Sequence, residues 1–237
     1  MALPKLTTPT YELEIPSTDE KVKYRPFLVK EEKILMMAME SKKNADIVQA
    51  VKDIVSECTF NKVNMSDLPM FDVEYIFLQI RSKSVGEVSK IKVLCPDDGK
   101  TYADVEIDLN EVKVQVGDEH TNKIELNKDM GIIMKYPTID SFRESGIQDI
   151  NASNMLEVIS ACILQIYEEG GKKTYDPKDQ TKKEVTDFIE QLTTGQFKEV
   201  QSFFDTMPKL KHIIEVENPK TKVKSEIVLQ GLNDFFE

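Results

Sequence analysis

A chain of 237 residues, 40% hydrophobic and 31% charged, can bury a substantial core without disulfides or a structural metal. Its formal net charge of −11 argues against nucleic-acid binding, which needs a concentrated positive surface. Cys58, Cys95 and Cys162 are too few and too far apart for a disulfide framework or a complete zinc site, and no run of about 20 apolar residues could span a bilayer.

Met1 to Leu13 contains Pro4, Pro9 and Glu12 where a secretory signal would have a basic segment and an apolar run. The odd number and wide separation of the three cysteines lead to the expectation of a reducing compartment. Tyr11, Leu13 and Ile15 alternate with polar residues, Pro16-Ser17-Thr18-Asp19 supplies a turn, and Val22 and Tyr24 resume the alternation. This predicts a β-hairpin. Beyond Pro26 the spacing becomes helical, with Ile34, Leu35, Met37 and Ala38, then Ile47, Val48, Val51, Ile54 and Val55. A helical hairpin, parted near Ser41 to Asn44, would bury both stripes against the first strands. Asp67 before Leu68-Pro69 marks the entry to a third helix with Phe71, Tyr75 and Leu78 on its stripe, fading near Gly86.

From Ser89 the period returns to two. Ile91, Val93 and Cys95 lead into Pro96-Asp97-Asp98-Gly99, and Tyr102, Val105 and Ile107 lead out, which predicts a second hairpin. Val112 to Val116, Ile124 with Leu126, and Ile132 to Met134 read as further short strands closed by Pro137. A helical block is expected from Thr138, its longest piece Met155 to Tyr167 with Met155, Val158, Ile159, Cys162, Ile163 and Ile166 on one stripe, ended by Gly170-Gly171. Lys172 to Lys183 reads as a polar loop. Val185, Phe188, Ile189 and Leu192 predict a helix ending at Gly195, and Phe197, Val200, Phe203 and Phe204 predict one stopped by Pro208. Ile213, Ile214 and Val216, the turn Glu217-Asn218-Pro219-Lys220, and Val223, Ile227 and Leu229 form a third hairpin. It repeats the proline turn of the second, by duplication or by hairpin chemistry alone. The fold class expected is α+β: an N-terminal β-hairpin with helices over 1–87, a central region of short strands over 88–137, and a C-terminal helical block closed by a β-hairpin over 138–237.

Catalytic chemistry has little to stand on. His120 lies in a polar loop and His212 at a strand start, neither within a nucleophile motif. Cys95 before a proline resembles half of a zinc knuckle, but its partner position holds Asp98. Cys58 and Cys162 fall on apolar faces and read as core residues. Met36-Met37-Ala38-Met39 offers an adaptable surface if Met36, Met39 and Lys43 face outward, with Met37 assigned to the core.

Lys23-Tyr24-Arg25-Pro26-Phe27-Leu28-Val29-Lys30-Glu31-Glu32-Lys33 and the block from Phe71 to Glu87, together with the opening Leu3 to Leu13, resemble the T4-type phage baseplate protein family, which includes a baseplate hub subunit and a hub assembly catalyst. The resemblance runs to about Pro137 and resumes at the last hairpin. It implies a structural or assembly role in a contractile tail, hub or tape-measure proteins as partners, and no reaction or cofactor. Some members carry fuller cysteine pairs at the hairpin turns, where this sequence keeps Cys95 alone. The expected location is the virion tail baseplate, or the host cytoplasm during assembly, with neither nucleic acid nor membrane as a partner and with oligomerisation open.

The partner-binding candidates are Arg25 and Phe27, Met36 and Met39, Arg81 and Lys83, and Phe235 and Phe236. Three of these have a plainer reading: Arg25-Pro26-Phe27-Leu28 as a buried strand-to-helix corner, Arg81 to Ser84 as a solvated helix end, and the terminal phenylalanines with one ring tucked into the domain. Two other functions compete with a hub subunit: a tape-measure chaperone that leaves before the tail is finished, and a thiol or zinc enzyme built on Cys95.

Overall fold

The opening hairpin forms as its alternation requires, from β1 (Tyr11–Glu14) and β2 (Lys21–Tyr24), paired antiparallel with Leu13 opposite Val22. The structure, a computed structural model, describes residues 6–41, 43–139, 141 and 154–235. Within them the fold is α+β, with six α-helices and eleven strands in small antiparallel sheets. The chain divides into two compact units, the first made of Met1–Met65, Phe71–Gln115 and Lys209–Glu237, the second of Ser66–Met70 and Val116–Pro208.

In the first unit α1 (Val29–Ser41), α2 (Asn44–Cys58) and α3 (Met70–Val85) follow the hairpin. Strands β3 (Val88–Leu94) and β4 (Tyr102–Asp108) make the second hairpin, with Ile91 opposite Val105. Alternate residues of β3 are buried, so the period-two pattern places Ile91 and Val93 on one inward face. The terminal hairpin, β10 (Lys209–Glu217) and β11 (Lys224–Gln230), returns to pair with β5 (Lys113–Gln115), Leu210 opposite Val114. One core results, in which Leu78 of α3 meets Ile91, Val93, Ile107, Leu210, Ile214, Val216 and Leu229. Each such side chain is worth roughly 1.5–3 kcal/mol relative to exposure. This return explains why the first unit draws residues from both ends and the centre of the sequence.

The second unit is a meander, β6 (Lys123–Glu125), β7 (Gly131–Met134), β8 (Ile163–Glu168) and β9 (Lys173–Tyr175), in that spatial order. Its core unites Ile124, Ile132, Met134, Ile159, Ile163 and Ile166 with Val185, Ile189, Val200 and Phe203. The last four lie on α5 (Lys182–Glu190) and α6 (Thr194–Thr206), each opened by a capping box, Thr181 with Glu184 and Thr193 with Gln196.

Four local expectations are corrected. The stripe Met155 to Tyr167 is not one helix: α4 (Met155–Ala161) stops, and Ile163 to Glu168 runs on as β8 against β7. A short apolar run fits either period, and the open edge of β7 decided it. Gly170 and Gly171, at φ of 64° and 99°, turn the β8–β9 hairpin rather than end a helix. The expected polar loop contains β9, and Gly195 lies in the first turn of α6 instead of closing α5, which ends at Glu190. The helical block expected from Thr138 lies mostly outside the described residues.

Gly131 is required by packing. A Cβ there would sit 2.4 Å from the Tyr167 ring and 2.5 Å from the Ile124 carbonyl oxygen, which belongs to the paired strand and cannot yield cheaply. Gly131→Ala is expected to destabilise the protein by roughly 1–3 kcal/mol in a urea titration, the usual range for overpacking; an unchanged midpoint would refute this close approach.

Candidate interaction surface

Helix α1 is fixed at one end and bare along its outer side. Glu31, at the third helical position, accepts a hydrogen bond from the Leu28 backbone N–H through Oε2 at 2.7 Å and from Arg25 Nη2 through Oε1 at 2.9 Å. The first contact is half of a capping box, which stops the helix from fraying. Arg25 also donates through Nη1 to the Pro26 carbonyl at 3.0 Å and to Cys58 Sγ at 3.6 Å, and its backbone N–H donates to the Cys58 carbonyl at 3.0 Å. The strand β2, the start of α1 and the end of α2 therefore meet at one ion pair. Both partners are buried, Arg25 8% and Glu31 1% exposed. Burial is the largest influence and opposes both charges, but the hydrogen bond between them outweighs it in combination with the charges around Arg25, which is raised, and with the Leu28 N–H and Lys30 at Glu31, which is lowered.

Beyond that anchor the helix buries only Glu31 and Ala38. Val29, Ile34, Met36, Met37 and Met39 are exposed, the three methionines by more than half. Met37 was expected in the core and is outside, and Ile34 is not buried either. The inward direction passes through Glu31 and Ala38, close together on the helix, whereas Met37 lies about 100° from Ala38. Large adjacent apolar side chains on one exposed helix differ from the single exposed residues of ordinary surfaces.

The other candidates are placed differently. Phe27 is buried, its N–H donating to Ser84 Oγ at 2.9 Å, so with Arg25 it forms the buried strand-to-helix corner and supports α1 from within. Lys83 is paired with Glu87, donates to Asn110 Oδ1 at 3.4 Å and lies over the Tyr11 ring; Arg81 is half-buried, lowered by that burial and raised by Glu32; Ser82 is buried. Together they do not make a free basic patch. Phe235 is fully buried in the first unit's core, and its carbonyl accepts from Ser89 Oγ at 2.7 Å. Phe236 lies outside the described residues.

Across known proteins, no curated protein and no solved structure matches this chain. A family model described as T4 bacteriophage base plate protein matches residues 8–237. The chain belongs to that family. As a T4-type baseplate protein it has a structural role in the phage tail, in the virion, among other baseplate proteins. Among its described residues no helix is long and apolar enough to cross a membrane, and no three His, Cys, Asp or Glu side chains are grouped to hold a metal ion.

In the baseplate protein His120, Cys58 and Cys162 have structural surroundings. His120 Nδ1 is 2.9 Å from Thr206 Oγ1, which itself donates to the Ser202 carbonyl, so the imidazole donates there and accepts from the Tyr136 hydroxyl at Nε2, 3.0 Å away. The ring stacks on Tyr136, and burial lowers its pKa. Burial pushes the thiol of Cys58 up to about 11 and that of Cys162 to about 12, the opposite of nucleophile activation. Sequence reasoning missed the buried role of Glu31. Its signal was a glutamate three residues after the helix-capping position, without the usual Ser or Thr.

Proposed function

We propose that this baseplate protein is a component of the hub of a contractile, T4-like tail, acting by protein–protein binding and not by catalysis. The observation carrying the reading is the outer face of α1, where Met36 and Met39, with Val29, present adaptable apolar area on a helix clamped by the Arg25–Glu31 pair. Methionine repacks around irregular partners, and a helix fixed from beneath loses little freedom on docking. The partner is another hub subunit or the tape-measure protein. Arg25 and Phe27 act through the position they give α1.

The test is complementation with Met36→Glu/Met39→Glu, two exposed positions where charge leaves the core intact. The variant is expected to keep its melting temperature and to be lost from tail particles; incorporation at wild-type copy number would sink the reading. Quantitative mass spectrometry of purified particles and infected-cell lysate also separates the second reading, an assembly chaperone for the tape-measure or another hub protein. The charge of −11 favours that reading because it suits a soluble holdase. A fixed copy number in particles supports the hub subunit, and abundance in lysate with absence from particles supports the chaperone.

A further inference from the structure

The two similar hairpins are joined at their tips. Asp97, on the β3–β4 turn, accepts from the Asn218 amide at 2.9 and 3.1 Å and from the Thr221 hydroxyl at 2.5 Å, both on the β10–β11 turn. Asn218 also faces Asp98.

The turns correspond residue by residue, Cys95-Pro96-Asp97-Asp98 with Asn218-Pro219-Lys220-Thr221. Cys95 and Asn218 are each 1% exposed. Each closes its own turn in the same way: the carbonyl of Cys95 accepts from Gly99 N–H at 3.0 Å, and that of Asn218 from Lys222 N–H at 2.9 Å. Backbone N–H groups also converge on a side-chain oxygen in each turn. Lys100 and Thr101 donate to Asp98 Oδ1 at 3.0 and 2.9 Å, and Lys220 and Thr221 donate to Asn218 Oδ1 at 2.8 and 3.2 Å.

Two proline turns meeting tip to tip, each with side chains at positions i and i+3, reproduce the arrangement in which paired zinc knuckles supply four ligands. Here those positions hold Cys95, Asp98, Asn218 and Thr221. A single thiol with an amide and a hydroxyl is a poor zinc set, and the Asp98 carboxylate is already taken by Lys100 N–H, Thr101 N–H and Thr101 Oγ1. The residues do not fit the ion. We infer that the junction is a metal-independent clamp, in which the Asp97 carboxylate bridges Asn218 and Thr221 and does by hydrogen bonding what a shared ion does between two knuckles. The joined end of both hairpins is then indifferent to zinc supply and to thiol oxidation, whichever baseplate position the protein occupies.

The test uses the full chain. Its melting temperature is expected to be the same with and without EDTA, and Asp97→Ala is expected to lower it by roughly 2–4 °C in both conditions. The triple variant Asp98→Cys/Asn218→Cys/Thr221→Cys completes two Cys-x-x-Cys pairs. It is expected to bind one equivalent of Co²⁺, with thiolate charge-transfer absorption and tetrahedral d–d bands that zinc abolishes. A wild-type melting temperature lowered by EDTA would make an ion the clamp, and an unchanged Asp97→Ala variant would remove the clamp; either overturns the inference. So does a triple variant that folds without taking up Co²⁺, since the four positions would then not converge.

Discussion

Arg25→Ala is expected to destabilise the protein by roughly 3–5 kcal/mol, because it strands a buried carboxylate. Glu31 is 1% exposed and would keep only the Leu28 N–H and Lys30, whose Nζ lies 3.1 Å away on an otherwise exposed side chain. The loss exceeds what the pair contributes over an apolar replacement, since most of it is the penalty of an unpaired buried charge. Arg25→Met/Glu31→Leu, which removes both charges at similar volume, should therefore recover much of the stability lost in Arg25→Ala. Urea titrations of Arg25→Met, Glu31→Leu and their double variant form the cycle that checks this, and additive losses would show that the two groups are not coupled. Because the same pair sets the start of α1, Arg25→Ala is also expected to impair tail incorporation, whereas the charge-free double variant should restore it.

That pair shows where the sequence was readable and where it was not. Hairpins, α2, α3 and the two capped helices follow from alternation, helical stripes and cap residues, all of which act over a few neighbouring positions. The divide between α4 and β8 did not follow, since Ile163 and Ile166 suit a helix or a strand and only the β7 edge selects the strand. Met37 was misplaced because α1 turns its smallest apolar residue, Ala38, and a charged one, Glu31, toward the interior. A buried Glu31 becomes reasonable only once Arg25 is known to lie beside it. Of the candidate contact residues, Met36 and Met39 are exposed, as the helical angle allowed, while Arg25, Phe27 and Phe235 are buried.

Raising the pH from about 4 to 7 is expected to weaken the fold through two carboxylates on α3. Asp72 is fully buried; its Oδ1 accepts from Ser17 N–H at 3.1 Å, and Oδ2 has no hydrogen-bond partner. Burial raises it to about 6 against the hydrogen bonds from Ser17, and burial raises Glu74 to about 7. Unfolded carboxylates titrate near pH 4. Below that pH each group is protonated in both states and carries no penalty. Between pH 4 and the raised values the unfolded chain releases protons that the folded chain retains, so stability falls as pH rises and levels off above about 7. For Asp72 the difference is on the order of 3 kcal/mol. Asp72→Asn keeps an acceptor for Ser17 and removes the charge, so it should match wild type near pH 4 and melt higher at pH 8; Glu74→Gln should act in the same direction. The Arg25–Glu31 pair has the opposite sign, because Glu31 is lowered and its contribution is lost only as acid carries the pH down through its folded value. Wild type should therefore be most stable in mildly acidic solution, and the Asp72→Asn/Glu74→Gln double variant should extend that maximum toward neutrality. Melting curves of the two proteins from pH 3 to 9 decide it, and parallel profiles would mean that neither carboxylate is held protonated by the fold.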